Sequence, residues 1–179
     1  MQPGDLLLVR GTSALSLAIM NATGGTFSHV GIVVCSMAPD FPQDGIVIEA
    51  LDRVRTRPFH LSTAEANYWE IWTNTTLTML HRWTIVSTAC DYSAATYGYI
   101  NIAQQGIDAI LNNNWATEHL PQFKSRPICS ELACFAYNGA GLRFSTDAKT
   151  IAPSRHAPYI GIAEFVKSNA DYACVAKKG

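Results

Sequence analysis

The chain opens on an uninterrupted apolar run. Leu6, Leu7, Leu8 and Val9 follow a Pro3-Gly4 turn, so Asp5 to Val9 predicts a short buried strand. Ser13 to Ala22 then spaces Leu15, Ala18 and Ile19 along one helical face behind a Thr12 or Ser13 cap, and Gly24-Gly25 stops it. Two β-branched runs come next, Ser28 to Cys35 and Gly45 to Leu51, joined by a loop from Ser36 to Asp44 that holds Pro39 and Pro42. They predict a hairpin, and Tyr68 to Thr73 predicts a third strand. From Leu77 the period changes. Leu77 to Tyr92 and Tyr97 to Leu111 place apolar residues three and four apart, which predicts helices. Arg126-Pro127-Ile128 leads into a further helix from Cys129 to Ala136, stopped at Asn138-Gly139-Ala140-Gly141. Weak strand and turn signals follow around Pro153, Pro158 and Tyr159 to Phe165.

No repeat, low-complexity stretch or linker interrupts this order, so residues 1–179 read as one domain. The expected class is α+β, a small antiparallel sheet packed against helices, one of which presents Cys129 at its N-terminus. A chain of 179 residues can bury roughly two-thirds of its unfolded surface in a single core. The 48% hydrophobic and 15% charged fractions exclude a disordered chain. A net charge of -1, with no basic run denser than Arg53 to Arg57, leaves no electrostatic footprint for nucleic acid. No apolar run nears the ~18 residues of a spanning helix, and Met1 to Asp5 has no signal-peptide character. The expectation is therefore a chain without a transmembrane segment, cytoplasmic where it is synthesised. Cys35, Cys90, Cys129, Cys134 and Cys174 form an odd, scattered set, which reads as reduced thiols rather than a disulfide framework or zinc ribbon. Asn21-Ala22-Thr23 and Asn74-Thr75-Thr76 match the glycosylation triplet only by chance on this reading.

Chemistry concentrates at Cys129. At the first turn of a helix, orphan N–H groups and the positive dipole end favour thiolate over thiol, which makes a nucleophile; the alternative is a small buried hydrophobe. Cys134 points elsewhere on the same helix and reads as core. Among His29, His60, His81, His119 and His156, His29 stands out because it opens an apolar strand whose end can meet a helix N-terminus. A hairpin centred near Pro39 sets Glu49 directly opposite His29, and a carboxylate in so apolar a run needs such a partner. Structural roles at a strand end are the alternatives for both residues. The backbone N–H of Cys129 is the natural first oxyanion donor, with Tyr92, Tyr97 and Tyr99 as side-chain candidates against a default of packing. No phosphate cradle and no histidine pair with metal-ligand spacing is present, so neither cofactor nor metal is expected.

Four segments, Pro3-Gly4-Asp5-Leu6-Leu7, Phe27-Ser28-His29-Val30-Gly31-Ile32, Val47-Ile48-Glu49-Ala50 and Ile128-Cys129-Ser130-Glu131-Leu132, give the chain a resemblance. It resembles the circularly permuted NlpC-type, YiiX-like, cysteine peptidases and amidases of the papain-like superfamily, from residue 3 to about residue 136. The histidine precedes the cysteine, as in the permuted order. The resemblance implies a permuted papain-like fold in which Cys129 is the nucleophile, His29 the general base and then acid, and Glu49 the residue that orients His29. It also gives Tyr97 the place of a tyrosine lining the site, although Gly98 follows where relatives commonly carry an acid. Lecithin-retinol-acyltransferase-like members have a second histidine where this chain has Glu49, which favours the amidase side.

The expected function is a cysteine hydrolase of amide or peptide bonds working through an acyl-enzyme. By resemblance the substrate is a small amide or peptide, bacterial cell-wall (peptidoglycan) stem peptides being the commonest target, with delivery by a phage particle or lysis. Two rivals stand beside it: a thiol acyltransferase or thioesterase on lipid-like acyl substrates, and a noncatalytic binding or assembly module of the same fold. The helical region 77–122 is expected to wall the site.

Overall fold

The structure, a computed structural model, describes residues 1–23, 25–36, 44–96, 98, 127–142 and 162–178. Its strands are β1 (Leu6–Gly11), β2 (His29–Cys35), β3 (Ile46–Ala50), β4 (Val54–Pro58), β5 (Ala66–Asn74) and β6 (Tyr172–Lys178). The helices are α1 (Ala14–Thr23), α2 (Phe59–Ser62), α3 (Met79–Cys90), α4 (Cys129–Gly139) and α5 (Ile162–Ser168). All six strands join one antiparallel sheet in the order β4-β3-β2-β1-β5-β6. The chain is thus α+β, a six-stranded antiparallel sheet against helices.

Why the central strands read as solid apolar runs is now plain: both faces of the sheet are covered. Leu6, Leu8, Val30, Ile32, Ile48 and Ala50 share a core with Leu132, Ala133 and Ala136 of α4 and with Ile85 and Ala89 of α3. On the other face Leu7, Val9, Val47 and Ile71 close over Phe59 of α2, whose ring meets Trp69 edge-on at 5.0 Å. The buried Tyr137 donates its hydroxyl to the Gly4 carbonyl at 2.6 Å, tying the far end of α4 to the start of β1. Both termini of α4 are therefore referenced to the sheet. No helix among the described residues is long and apolar enough to cross a membrane.

The Pro3-Gly4-Asp5 motif has a structural explanation. Gly4 turns at φ +80, a left-handed conformation that costs glycine little. That turn aims the buried Asp5 at Arg82 of α3, 2.8 Å away, and Asp5 also accepts the Gln2 N–H. Arg82 spends three further donors on Pro3 O, Thr73 Oγ1 and Asn74 O, so both of its terminal nitrogens are satisfied where the charge is buried.

Several sequence expectations need correction. Strands β4 and β6 lie at the two edges of the sheet; β4 sets Arg55, Thr56 and Arg57 in succession and β6 leaves most of its residues partly or fully exposed, and the apolar-run criterion passed over both. Ile162–Ser168 is a helix, not part of a strand-and-turn tail; Ile162, Ala163 and Val166 bury one face of it. The predicted helix from Leu77 begins at Met79, because Thr78 accepts the His81 N–H and caps it. The helix expected from Tyr97 to Leu111 lies outside the described residues.

Candidate active site

Helix α4 starts at Cys129, with the extended Ile128 as its N-cap. Ile128 has no side-chain acceptor, so Glu131 reaches back and takes the Ile128 N–H at 3.0 Å. The sulfur of Cys129 is met by the backbone N–H groups of Ser130 and Val30 and by the His29 ring. Val30 belongs to β2, so the helix end is pressed directly onto the strand that carries the histidine.

His29 and Glu49 are brought together, by a different register from the expected one. Strand β2 pairs Ile32 with Ile48 and Val33 with Val47. Carried along by one residue, that register faces Gly31 to Glu49 and leaves His29 two residues further along. A bulge between Val33 and Cys35 shifts the pairing, which a turn centre guessed from proline positions could not anticipate. Because the error is two residues, it preserves the face, and a one-residue slip would have reversed it. Gly31 supplies the missing room. A Cβ there would stand 2.6 Å from Val47 Cγ1 and 3.6 Å from Glu49 Cβ, so a side chain would crowd the lane through which Glu49 reaches His29. The result is a His29 Nε2 to Glu49 Oε2 contact of 2.8 Å.

Glu49 is 1% exposed, and an isolated carboxylate there would be costly. Its second oxygen, Oε1, accepts from Ser62 Oγ at 2.9 Å and Arg57 Nη1 at 3.2 Å. Burial raises the Glu49 pKa, and the His29, Ser62 and Arg57 contacts outweigh it, so the carboxyl stays below its usual range. Burial would likewise lower His29; the charge and hydrogen bond of Cys129, followed by those of Glu49, outweigh it and push the imidazole up to about 10. Cys129 moves the other way. Burial alone would raise its pKa, but the His29 charge and hydrogen bond and the two backbone N–H groups lower it. All three shifts run in the direction that favours a thiolate beside an imidazolium, with a carboxylate behind.

Cys134, five residues along the same helix, shows what burial does without those partners. Its thiol is pushed well above the ordinary range by burial and by Glu131. It packs in the core, as expected. All five cysteines are free thiols. Tyr92 stacks on Phe135 of α4 at 5.5 Å, a packing role. Tyr97 and Tyr99 lie outside the described residues. Sequence reading missed Arg57 and Ser62, whose signal was an arginine two positions from an acidic partner's neighbour across an unrecognised strand pair. Among the described residues, no group of three His, Cys, Asp or Glu side chains is arranged to hold a metal ion.

No protein-family model matches the chain, and neither does any curated protein. Among solved structures it is similar to the crystal structure of the metalloprotein YiiX from Escherichia coli O157:H7, DUF1105. The TM-score is 0.64 at 20% identity, covering 99% of this chain and 97% of that one. Backbone agreement over nearly the whole of both chains, at so low an identity, is agreement of architecture: this chain has a YiiX-like fold.

Proposed function

We propose that the chain is a cysteine hydrolase of amide bonds, one permuted papain-like domain of the NlpC type spanning residues 1–179. One observation carries the reading: a helix-initiating thiol, an imidazole and a buried carboxylate stand in series, the imidazole bonded to the carboxylate at 2.8 Å, with the thiol lowered and the imidazole raised by each other. A purely structural histidine would need only one of these partners.

The steps follow from the geometry. The Cys129 thiolate attacks the amide carbon, forming the C–S bond as the carbonyl pair moves onto oxygen, where the Cys129 N–H is placed to donate. Collapse breaks the C–N bond, and the leaving nitrogen takes the proton held by His29. Neutral His29 then accepts a proton from water as that water attacks the thioester; expulsion of the thiolate releases the acid and restores the ion pair. Glu49 keeps the ring oriented and its charge balanced throughout. Tyr97 belongs to this proposal as a residue lining the site, by resemblance.

YiiX is described as a metalloprotein, yet the described residues here do not fit a metal. His29 commits Nε2 to Glu49 and its other nitrogen faces Cys129, which leaves no convergent donor set. Small amides and peptides, including peptidoglycan stem peptides, are the proposed substrates. Incubating the protein and Cys129→Ala with such peptides, and measuring new amine by mass spectrometry, tests this. Release by the wild type alone is expected; equal release by both, or turnover confined to long-chain acyl esters, would overturn it.

A further inference from the structure

The site has an outer tier. Strand β4 runs antiparallel to β3, with Arg55 opposite Glu49 and Arg57 opposite Val47, so both arginines share the Glu49 face. They behave differently. Arg55 is exposed and turns to Asp52, 3.2 Å away. Arg57 is largely buried and turns inward, placing Nη1 on Glu49 Oε1 while Nη2 donates to Leu61 O at 3.1 Å. Leu61 lies in α2, the same short helix that brings Ser62 to that oxygen. Pro58 starts α2 directly after Arg57, and Phe59 anchors it in the core beneath the sheet. The stretch from Arg57 to Ser62 is therefore one clamp, closed on one carboxylate oxygen.

Resting on the hydrolase reading, we propose that Arg57 and Ser62 are positioning residues for His29, acting through Glu49. Together they occupy Oε1, so the carboxylate presents only Oε2 to the imidazole and cannot turn. Arg57 also completes an alternating row of charges, thiolate, imidazolium, carboxylate and guanidinium, whose sum is zero. A neutral row is the arrangement in which a buried ion pair keeps its charges. Among the described residues, the groups facing Glu49 are His29 from β2, Arg57 and the solvent-turned Arg55 from β4, and Ser62 from α2, where His60 is exposed.

The test is the pH profile of Cys129 alkylation by iodoacetamide, read by peptide mass spectrometry, with thermal melts confirming that each variant folds. Arg57→Gln and Ser62→Ala are expected to raise the thiol pKa, Arg57→Gln by about one unit, which is about a tenfold loss of rate on the acid limb. Ser62→Thr, which keeps the hydroxyl, should restore the wild-type profile. In a Glu49→Gln background, Arg57→Gln should add nothing, because it acts through that carboxylate. A profile unchanged in Arg57→Gln and Ser62→Ala, or shifted as much by Arg55→Gln, or shifted additively with Glu49→Gln, would overturn the proposal. An ordinary thiol pKa in the wild type would instead overturn the hydrolase reading beneath it, so the two failures are distinguishable.

Discussion

Two buried carboxylates in this molecule are paired with arginine, and they are put to different uses. Asp5 meets Arg82 where β1 meets α3, and every other Arg82 contact is to a backbone carbonyl or a threonine hydroxyl. The titratable side chain that senses this pair is Tyr137, whose phenol is pushed well above its ordinary range by burial, so the pair acts as a staple between helix and sheet. Glu49 meets Arg57 with only one oxygen; the other faces an imidazole that itself faces a thiol. The chemistry of the two ion pairs is the same. What separates them is whether the carboxylate's last acceptor position goes to the fold or to a group that can gain and lose a proton.

The contrast can be broken most sharply at the staple. Arg82→Ala leaves Asp5 buried without its counter-charge and should cost about 3–5 kcal/mol of stability in urea denaturation. A loss under about 1 kcal/mol would mean the two sites are not different in kind. At the other carboxylate the largest effect should fall on reactivity. His29→Ala removes the charge and hydrogen bond that lower Cys129, so alkylation at pH 7 should drop by more than about tenfold; an unchanged rate would leave Cys129 an ordinary thiol.

Next in size is the response of His29 to its neighbours. Cys129 precedes Glu49 among the causes that raise the ring, so Cys129→Ala should bring the His29 pKa down from about 10 by more than Glu49→Gln does. A histidine NMR titration reads this directly, and the reverse order would shift the weight of the site to Glu49. Stability against pH is a poorer readout, for a reason of sign. The raised His29 contributes stability that is full below 6.5 and lost as pH rises through about 10. The lowered Cys129 contributes stability that is full above 9.0 and lost as pH falls through its folded value. The two contributions therefore run in opposite directions with pH, and where both groups titrate their slopes offset each other. The smallest expected effect is at the exposed Arg55–Asp52 pair, where Arg55→Gln should change stability by less than about 0.5 kcal/mol in the same denaturation.

Much of the sheet could be read from sequence because its inner strands are buried on both faces. Leu6 to Val9, Val30 to Val34 and Ile46 to Ala50 have no polar interruption except Glu49. That exception pointed to the candidate site, since a lone acid in such a run demands a partner. The edges were illegible for the same reason. In Val54-Arg55-Thr56-Arg57-Pro58 the two arginines look like a charged loop until β3 is laid beside them. Arg57 could not be told from Arg53 or Arg55 by any local signal; all three alternate along one stretch.

By itself the sequence determined what is set by local pattern: apolar runs that must be buried, a cysteine at a helix start, a histidine at a strand start, and one acid that had to be satisfied. Only the tertiary structure decided which partners satisfy it. Register is a property of two strands and of the bulge between them, so the offset that puts Gly31 opposite Glu49 lies in neither segment alone. The choice of Arg57 over Arg55 follows from β4 and α2 together, because a guanidinium is held inward only where a second acceptor, here Leu61 O, lies within its reach. The satisfaction of Glu49 is likewise collective: His29, Ser62 and Arg57 come from three different elements to share its two oxygens.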